Sequence, residues 1–252
     1  MRALLRPTPG VIMRHATLHP FSVLAGAGLV SLALLLAGML PAQGNLTAEQ
    51  VRILEHMSIQ LLPDGQGGLN ETLVISGVNV QVVNGLGATA TKNGLGNLIV
   101  GYDELGLPAD HTGSHNVVGG SENRYASYGG LVLGFDNWID GPYATVSGGQ
   151  GSLARGDSAS VSGGAVGFAL GRCASVSGGK ANTAYGDWSS ISGGWVGSAT
   201  GELASVSGGL FNFADGDRST ISGGEYNEAD GAGSTVSGGC EQLASADCAH
   251  VP

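Results

Sequence analysis

Residues 174–188 read ASVSGGKANTAYGDW and form one copy of a fifteen-residue repeat that decides the fold of this chain. Seven copies follow one another from Ala144 onward without a change in spacing. Numbered with Ala144 as position 1, every copy has Val or Ile at position 3, Ser at position 4, Gly at positions 5 and 6, and Ala at position 11. A strict period of this kind is typical of a solenoid, in which each repeat is one coil stacked on the previous one.

The pattern within a copy indicates short strands, because successive side chains of a strand point to opposite faces. Positions 1 and 3 then share an apolar face directed inward, and positions 2 and 4 share a face of hydroxyl groups. We expect position 11 on an opposing strand, with its methyl group directed inward. We expect the glycines at positions 5, 6 and 13 to permit turns and positive φ.

The sequence therefore predicts an all-β fold, a parallel β-solenoid or β-roll with two short strands in each coil and coils about 4.8 Å apart. A disordered Gly/Ser linker explains the sequence less well, since a linker does not require Val, Ile and Ala at fixed positions. We place this solenoid domain at residues 115–252, with degenerate early copies around Val117 and Leu131.

Residues 1–44 read as an export segment. Three arginines precede an uncharged apolar run from Phe21 to Leu40, and small residues, Ala42 and Gly44, follow it. This order is typical of a cleaved signal peptide, with an uncleaved membrane anchor as the alternative because the run is long enough to span a bilayer. In both cases we expect the rest of the chain outside the cytoplasm, at the cell surface, in the outer membrane or in the extracellular space. Contact with a membrane is then expected only through this segment, if it is uncleaved.

Residues 45–114 are predicted to hold a short helix and an irregular β region. The helix is expected over 45–57, with Thr47 and Gln50 forming a capping box. Residues 58–62, 71–76 and 78–83 have the composition of strands. Residues 102–114 read as a surface insertion.

Charge and motifs argue against several functions. The net charge is −10, and no Lys/Arg cluster lies beyond the export segment, which argues against nucleic-acid binding.

Asp110-His111 and His115 invite a metal or catalytic interpretation, but a solvated loop is preferred because no third converging ligand is evident. Asp215-Gly216-Asp217 is a weak calcium candidate, since the nonapeptide calcium pattern is absent. No serine sits in a nucleophile elbow. We predict no enzymatic activity, no cofactor and no metal site.

Self-association is expected, because each coil buries few large side chains against the entropy cost of ordering fifteen residues. Positions 7, 8 and 10, beside or beyond the Gly-Gly turn, are often large and apolar. They predict an apolar ridge that serves as an interface for further copies of this chain, with a host surface, matrix protein or glycan as the alternative partner. The ridge comprises Val166, Phe168, Trp195, Val196, Leu210, Phe211, Phe213 and Tyr226.

The pattern A-S-V-S-G-G-x-x-N-x-A-x-G, clearest over residues 174–186, resembles the head repeats of trimeric autotransporter adhesins, the YadA-like head. The resemblance covers residues 115–248. It implies a left-handed parallel β-roll, a homotrimer and a role as a surface adhesin. The repeats of those heads are usually one residue shorter, which suits the step of fourteen from Val132 to Val146. No coiled-coil stalk or membrane barrel follows the repeats before Pro252, so the means of surface attachment stays open.

The functional prediction is an exported structural or adhesive rod. The alternatives are an ice- or carbohydrate-binding solenoid, suggested by the columns of hydroxyl groups, and a spacer with no ligand.

Cys173 and Cys248 occupy the same repeat position five coils apart, too far for a disulfide. Cys240 and Cys248 could pair only if the last coil departs from the regular repeat.

Overall fold

The structure, a computed structural model, describes residues 46–252, and the predicted export segment at 1–44 lies outside the described residues. The chain divides into two compact units, Met1–Asn79 and Val80–Pro252, and each is described by itself. Within the described part of the chain, every helix is too short or too polar to cross a membrane.

The described part of the first unit is a helix followed by a hairpin. Helix α1 (Ala48–Glu55) begins at the predicted capping box, in which Gln50 N–H donates to Thr47 Oγ1 at 3.2 Å and Thr47 N–H donates to Gln50 Oε1 at 2.8 Å. Strands β1 (Met57–Pro63) and β2 (Leu69–Ile75) pair antiparallel. The predicted short helix is confirmed. The predicted strand at 78–83 is wrong, because these residues pair with no strand in the described chain and their valines are exposed.

The second unit is a parallel β-solenoid, which confirms the predicted fold class. One sheet has eleven strands, and its longer members come first: β3 (Leu98–Val100), β4 (Val117–Ser121) and β6 (Leu131–Phe135). Its remaining strands have two residues each: β8 (Thr145–Val146), β10 (Ser160–Val161), β12 (Ser175–Val176), β14 (Ser190–Ile191), β16 (Ser205–Val206), β18 (Thr220–Ile221), β20 (Thr235–Val236) and β22 (His250–Val251). The ladder thus begins at β3, upstream of residue 115.

The opposing sheet has nine strands of two residues each, formed by positions 10 and 11 and their early equivalents. They are β5 (Arg124–Tyr125), β7 (Trp138–Ile139), β9 (Leu153–Ala154), β11 (Phe168–Ala169), β13 (Thr183–Ala184), β15 (Ser198–Ala199), β17 (Phe213–Ala214), β19 (Glu228–Ala229) and β21 (Leu243–Ala244). A third ladder of single parallel bridges joins the position-7 residues from Gln150 to Cys240, which the prediction of two strands per coil did not include.

The register confirms the repeat. Val176 pairs with Ile191, and Ile191 pairs with Val206, so position 3 stacks directly from coil to coil. The Val or Ile at position 3 and the Ala at position 11 are almost fully buried from Val146 to Ala244. Position 1 is also inside, and the solenoid core therefore consists of one aliphatic side chain and two small ones in each regular coil.

The glycines differ in the reason for their presence. Position 6 has positive φ, for example 87° at Gly164, as predicted. The glycines at position 13 do not have positive φ, so the prediction of positive φ at this position is wrong. A Cβ built on Gly171 would instead overlap the carbonyl oxygen of Gly186 in the next coil, and the same holds at Gly186 and Gly201. Glycine at position 13 therefore permits close approach of successive backbones.

A ladder of buried asparagines at position 9 stabilises the turn. Asn212 donates from Nδ2 to the carbonyl oxygens of Gly208 (2.7 Å) and Gly224 (3.0 Å), and its Oδ1 accepts from Asn227 N–H at 3.1 Å. Asn227 repeats this arrangement one coil later. Because a buried amide group must be hydrogen-bonded, the side chain ties two consecutive coils together. In the sequence, the Asn of the repeat pattern could have predicted this ladder.

Candidate functional site

The predicted apolar ridge occupies two different places on the solenoid. Six of its residues lie at the corner formed by positions 7 and 8: Val166, Trp195, Val196, Leu210, Phe211 and Tyr226. Phe168 and Phe213 belong instead to β11 and β17, on the outer surface of the nine-stranded sheet. We use the name corner ridge for Trp195, Val196, Leu210, Phe211 and Tyr226, which occupy consecutive coils.

Left-handed backbone at position 8 shapes this corner. The φ angles of Val196, Phe211 and Tyr226 are 56°, 53° and 55°. Each residue donates its N–H to the position-7 carbonyl of the preceding coil, as Tyr226 does to Leu210 at 2.9 Å. Positive φ is costly for bulky and β-branched residues, so the stacked coils must hold these residues in this conformation. The result is a column of large side chains at an exposed edge.

The aromatic rings of the corner ridge pack against one another along the solenoid. The Phe211 ring lies between Trp195 and Tyr226, with centroid distances of 6.3 Å and 5.2 Å, and it is nearly parallel to the Tyr226 ring. The Nζ of Lys180 lies 5.7 Å from the Trp195 ring. Trp195 and Tyr226 are each 51% exposed. The ridge is therefore rigid and apolar, and many of its ring faces are already occupied by neighbours in the same chain.

A second surface is the hydroxyl face of the eleven-stranded sheet. From Thr145 to Ser237, positions 2 and 4 carry only Ser and Thr, with position 2 half-buried and position 4 exposed. Hydroxyls of successive coils come within hydrogen-bonding distance at one place in the column, where Ser205 Oγ donates to Thr220 Oγ1 at 3.3 Å. The face presents a regular array of small hydrogen-bonding groups without charge.

An acidic cluster lies on the outer surface of the nine-stranded sheet. Carboxylate oxygens of Asp215, Glu228 and Asp230 lie within 4.8 Å of one another, and all three residues are exposed. The charge of Asp230, then partial burial, then the charge of Asp215 raise the pKa of Glu228. Asp217, the other half of the weak calcium candidate, lies apart from the cluster and accepts Glu202 N–H at 3.0 Å. The structure thus separates the two aspartates of the predicted pair.

His111 is not a solvated loop residue, so that part of the sequence prediction is wrong. Its Nδ1 lies 3.2 Å from Asp103 Oδ2, its Nε2 lies 2.9 Å from Asn123 O, and its ring stacks on Tyr125 at 4.4 Å. The Tyr125 hydroxyl donates to Asp103 Oδ2 at 2.7 Å. Burial, followed by this hydrogen bond, raises the pKa of Tyr125. The network fastens the predicted 102–114 insertion onto the first coils.

His115 belongs to a separate network. Its Nε2 accepts Asn84 N–H at 3.1 Å, and its Nδ1 lies 3.1 Å from Thr89 O, which fits the neutral ring with the proton on Nδ1. Together with residues 81–85 and 87–89 it lines an open groove of about 540 Å³. The two histidines, which the sequence suggested as a ligand pair, therefore hold two different loops.

The three cysteines are free and exposed. Cys173 and Cys248 lie at the position-15 corner, and Cys240 lies at the position-7 corner. The last coil keeps the regular register up to β22, so Cys240 and Cys248 do not form the disulfide that a deviating coil would have allowed.

A scan against protein-family models gave no match to this chain, and a search of curated proteins gave none either.

Proposed function

We propose that this chain is an exported, non-enzymatic structural or adhesive protein of the cell surface or extracellular space. The observation that carries the proposal is the unbroken parallel ladder from β3 to β22. Backbone bonds join every coil to its neighbours, so the solenoid is stiff along its axis. Outward positions such as 7, 8, 10 and 12 vary freely from coil to coil, which suits a scaffold that presents surface chemistry.

Two further points support the proposal. The apolar run at 21–40, with its small-residue exit, is the basis for export. The resemblance of the repeat to YadA-like heads is the basis for an adhesive role, and the homotrimer it implies stays a prediction from that resemblance alone.

The test combines location with binding. The full chain, carrying a C-terminal tag, is expressed in its own host, and surface protease treatment of intact cells reports its location. The purified chain is then applied to immobilised matrix proteins and a glycan panel. We expect protease-accessible chain and saturable binding. Surface location without binding would identify a spacer, and a chain retained in the cytoplasm would overturn the proposal.

The hydroxyl face favours a second candidate, an ice- or carbohydrate-binding solenoid. Regularly spaced hydroxyls on a sheet can match the spacing of ordered water or sugar hydroxyls. Thermal hysteresis and glycan binding are measured for the unchanged chain and for Ser192→Lys, which places a charge in the exposed position-4 column. The matched control is Ser245→Lys, on the other sheet. Loss of activity in Ser192→Lys alone would support this candidate, and no activity in the unchanged chain would remove it.

A further inference from the structure

The corner ridge is a contiguous apolar surface that is already ordered within one chain. Trp195 and Tyr226 expose half of their surface, and Leu210 and Phe211 lie half-buried between them. The Phe211 ring stacks on Tyr226 and packs at a tilt against Trp195, which fixes the side chains in place before any partner binds. A rigid apolar patch of this type is typical of a protein–protein interface, because little side-chain entropy is lost on association.

The rings are poorly placed to bind a sugar. A carbohydrate stacks on the open face of an aromatic ring, but the Phe211 ring has an aromatic neighbour in the coil before it and another in the coil after it. The Trp195 ring also carries the Lys180 ammonium group. What the ridge offers outward is an apolar edge, which suits the flat surface of another protein.

Charges flank the ridge asymmetrically. The position-7 bridges run in the order Lys180, Trp195, Leu210, Glu225, Cys240, one residue per coil. Lys180 lies two coils before Leu210, and Glu241 lies two coils after Phe211. Lys180, Glu225 and Glu241 are all exposed. The ridge is thus basic at one end, apolar in the middle and acidic at the other end.

Read in the opposite direction, this order of basic, apolar and acidic residues is complementary to itself, so two copies fit together antiparallel. If a second copy is turned end for end about Leu210 and Phe211, its Cys240–Glu241 pair faces the Lys180–Ala181 pair of the first copy, so that Glu241 lies beside Lys180. Trp195 then faces the Glu225–Tyr226 pair of the second copy, where the indole N–H can donate to the carboxylate. Leu210 and Phe211 meet their own equivalents on the two-fold axis, as a symmetric interface requires.

A parallel arrangement through the same ridge is unfavourable. Copies stacked in register would place Lys180 against Lys180, Glu225 against Glu225 and Glu241 against Glu241. Like charges facing each other across an interface oppose association. The same argument applies to a parallel trimer that uses this ridge.

We propose that the corner ridge is a homodimer interface at which two copies of this chain pack antiparallel, with Lys180 of each copy against Glu241 of the other. This inference goes beyond the proposed function and does not depend on export or adhesion. It is an alternative to the homotrimer that the resemblance to YadA-like heads implies, and the mass of the assembly decides between the two.

The experiment measures mass and affinity on the full chain by sedimentation equilibrium over a concentration series. We expect a monomer–dimer equilibrium. Lys180→Glu and Glu241→Lys should each weaken dimerisation about tenfold or more in Kd, because each introduces like-charge contacts at both ends of the interface. The double charge swap, Lys180→Glu with Glu241→Lys, should restore it. Arg218→Glu is the matched control, since it makes the same change of charge at the position-15 corner.

Orientation is read from cross-linking. In a Cys173→Ser, Cys248→Ser background, Lys180→Cys should form under mild oxidation an intermolecular disulfide with Cys240, identified by mass spectrometry of the joined peptides. A parallel assembly would instead join identical peptides. A monomer at all concentrations, a trimeric mass, a charge swap that restores nothing, or cross-links only between identical peptides would each overturn the proposal.

Discussion

The early coils, residues 116–143, and the late coils, residues 144–251, belong to the same parallel sheets but differ in the number of residues in each coil. Val118, Val132 and Val146 pair at steps of fourteen residues, whereas Val146 and every later position-3 residue pair at steps of fifteen. Phe135 pairs with Gln150, so the extra residue lies in Ser147-Gly148-Gly149. It behaves as a bulge, which shortens the five-residue strand of an early coil to a two-residue strand and a single bridge.

The two regions also fill the interior differently. In the early coils the inward residues facing the first sheet are large, Tyr125 and Ile139, whereas the late coils have Ala at this position. Gly130 takes the place of the position-1 alanine opposite Ile139, and a Cβ there would lie 2.6 Å from the Ala144 carbonyl oxygen and 2.7 Å from the Ile139 Cδ1 atom. The hydrogen-bonded ladder sets the width of the interior, and large and small side chains must be exchanged as pairs within it.

The largest expected effect is at position 13, where the backbones of successive coils approach closely. Gly171→Ala should lower the free energy of unfolding by about 3 kcal/mol or more, because the new methyl group overlaps the backbone of Gly186. Of the two early coils, the first holds Ser127 at the corresponding place, whereas the second holds Gly141, whose added Cβ would also overlap the backbone of the next coil. Ser127→Ala should change stability by less than about 1 kcal/mol.

Urea unfolding followed by circular dichroism measures both changes. Gly163→Ala at position 5 is the control for a glycine whose Cβ would meet nothing within 4 Å. If Gly171→Ala and Gly163→Ala were equally stable, close approach would not be the reason for glycine at position 13.

The second effect tests whether interior side chains are exchanged as pairs. Ala184→Ile should destabilise the solenoid by about 2 kcal/mol, because the late interior has no room for it. Ala174→Gly on the same coil should recover most of this loss when combined with Ala184→Ile, since the pair then copies Gly130 and Ile139. A double-mutant cycle from urea unfolding gives the coupling. Additive losses in the double variant would contradict the paired exchange.

Much of the late region could be predicted from sequence, because a period repeated seven times reveals which positions point inward. Val176, Ile191 and Ala184 are examples, and their burial follows directly from strand alternation. The bulge at residues 147–149 could not be located, because it is visible only when Phe135 is known to pair with Gln150.

Features that depend on non-repeated contacts escaped prediction for the same reason. His111 looks like a loop residue until the insertion folds back onto Tyr125. At the ridge, the apolar character of positions 7, 8 and 10 was visible, but the sequence did not separate the corner from the sheet surface that holds Phe168 and Phe213.

A smaller effect concerns buried hydroxyls that only some late coils contain. Ser189, Ser219 and Ser234 occupy the inward position 1, and their hydroxyls have no hydrogen-bond partner within the described residues. Ser219→Ala should raise the free energy of unfolding by about 1 kcal/mol, because an unpaired buried hydroxyl is removed and Ala fits this position in Ala204. The reverse change, Ala204→Ser, should lower it by a similar amount. A Ser219→Ala variant less stable than the parent would indicate a bonded hydroxyl.

The smallest effect is a contrast in pH dependence. The pKa of Glu228 in the late coils is raised, chiefly by Asp230, so ionisation of Glu228 destabilises the folded state. The stability of the late coils therefore rises as the pH falls toward 4 and Glu228 takes up a proton. Asp110, near the early coils, is the opposite case. Burial opposes its ionisation, but hydrogen bonds from Thr112 and the charges of Lys92 and His111 together hold its pKa below the ordinary value. Its contribution is present above the unfolded-state pKa and is lost as pH falls through the folded-state pKa.

Regional hydrogen exchange at pH 6 and pH 4, corrected for intrinsic rates, separates the two regions. Acidification should increase protection around Glu228 and decrease it around Asp110, each by a few tenths of a kcal/mol because solvent screens these groups. Glu228→Gln should abolish only the first change and Asp110→Asn only the second. If protection fell equally in both regions, carboxylate repulsion in the late coils would be too weak to distinguish them, and the two parts of the solenoid would differ in packing alone.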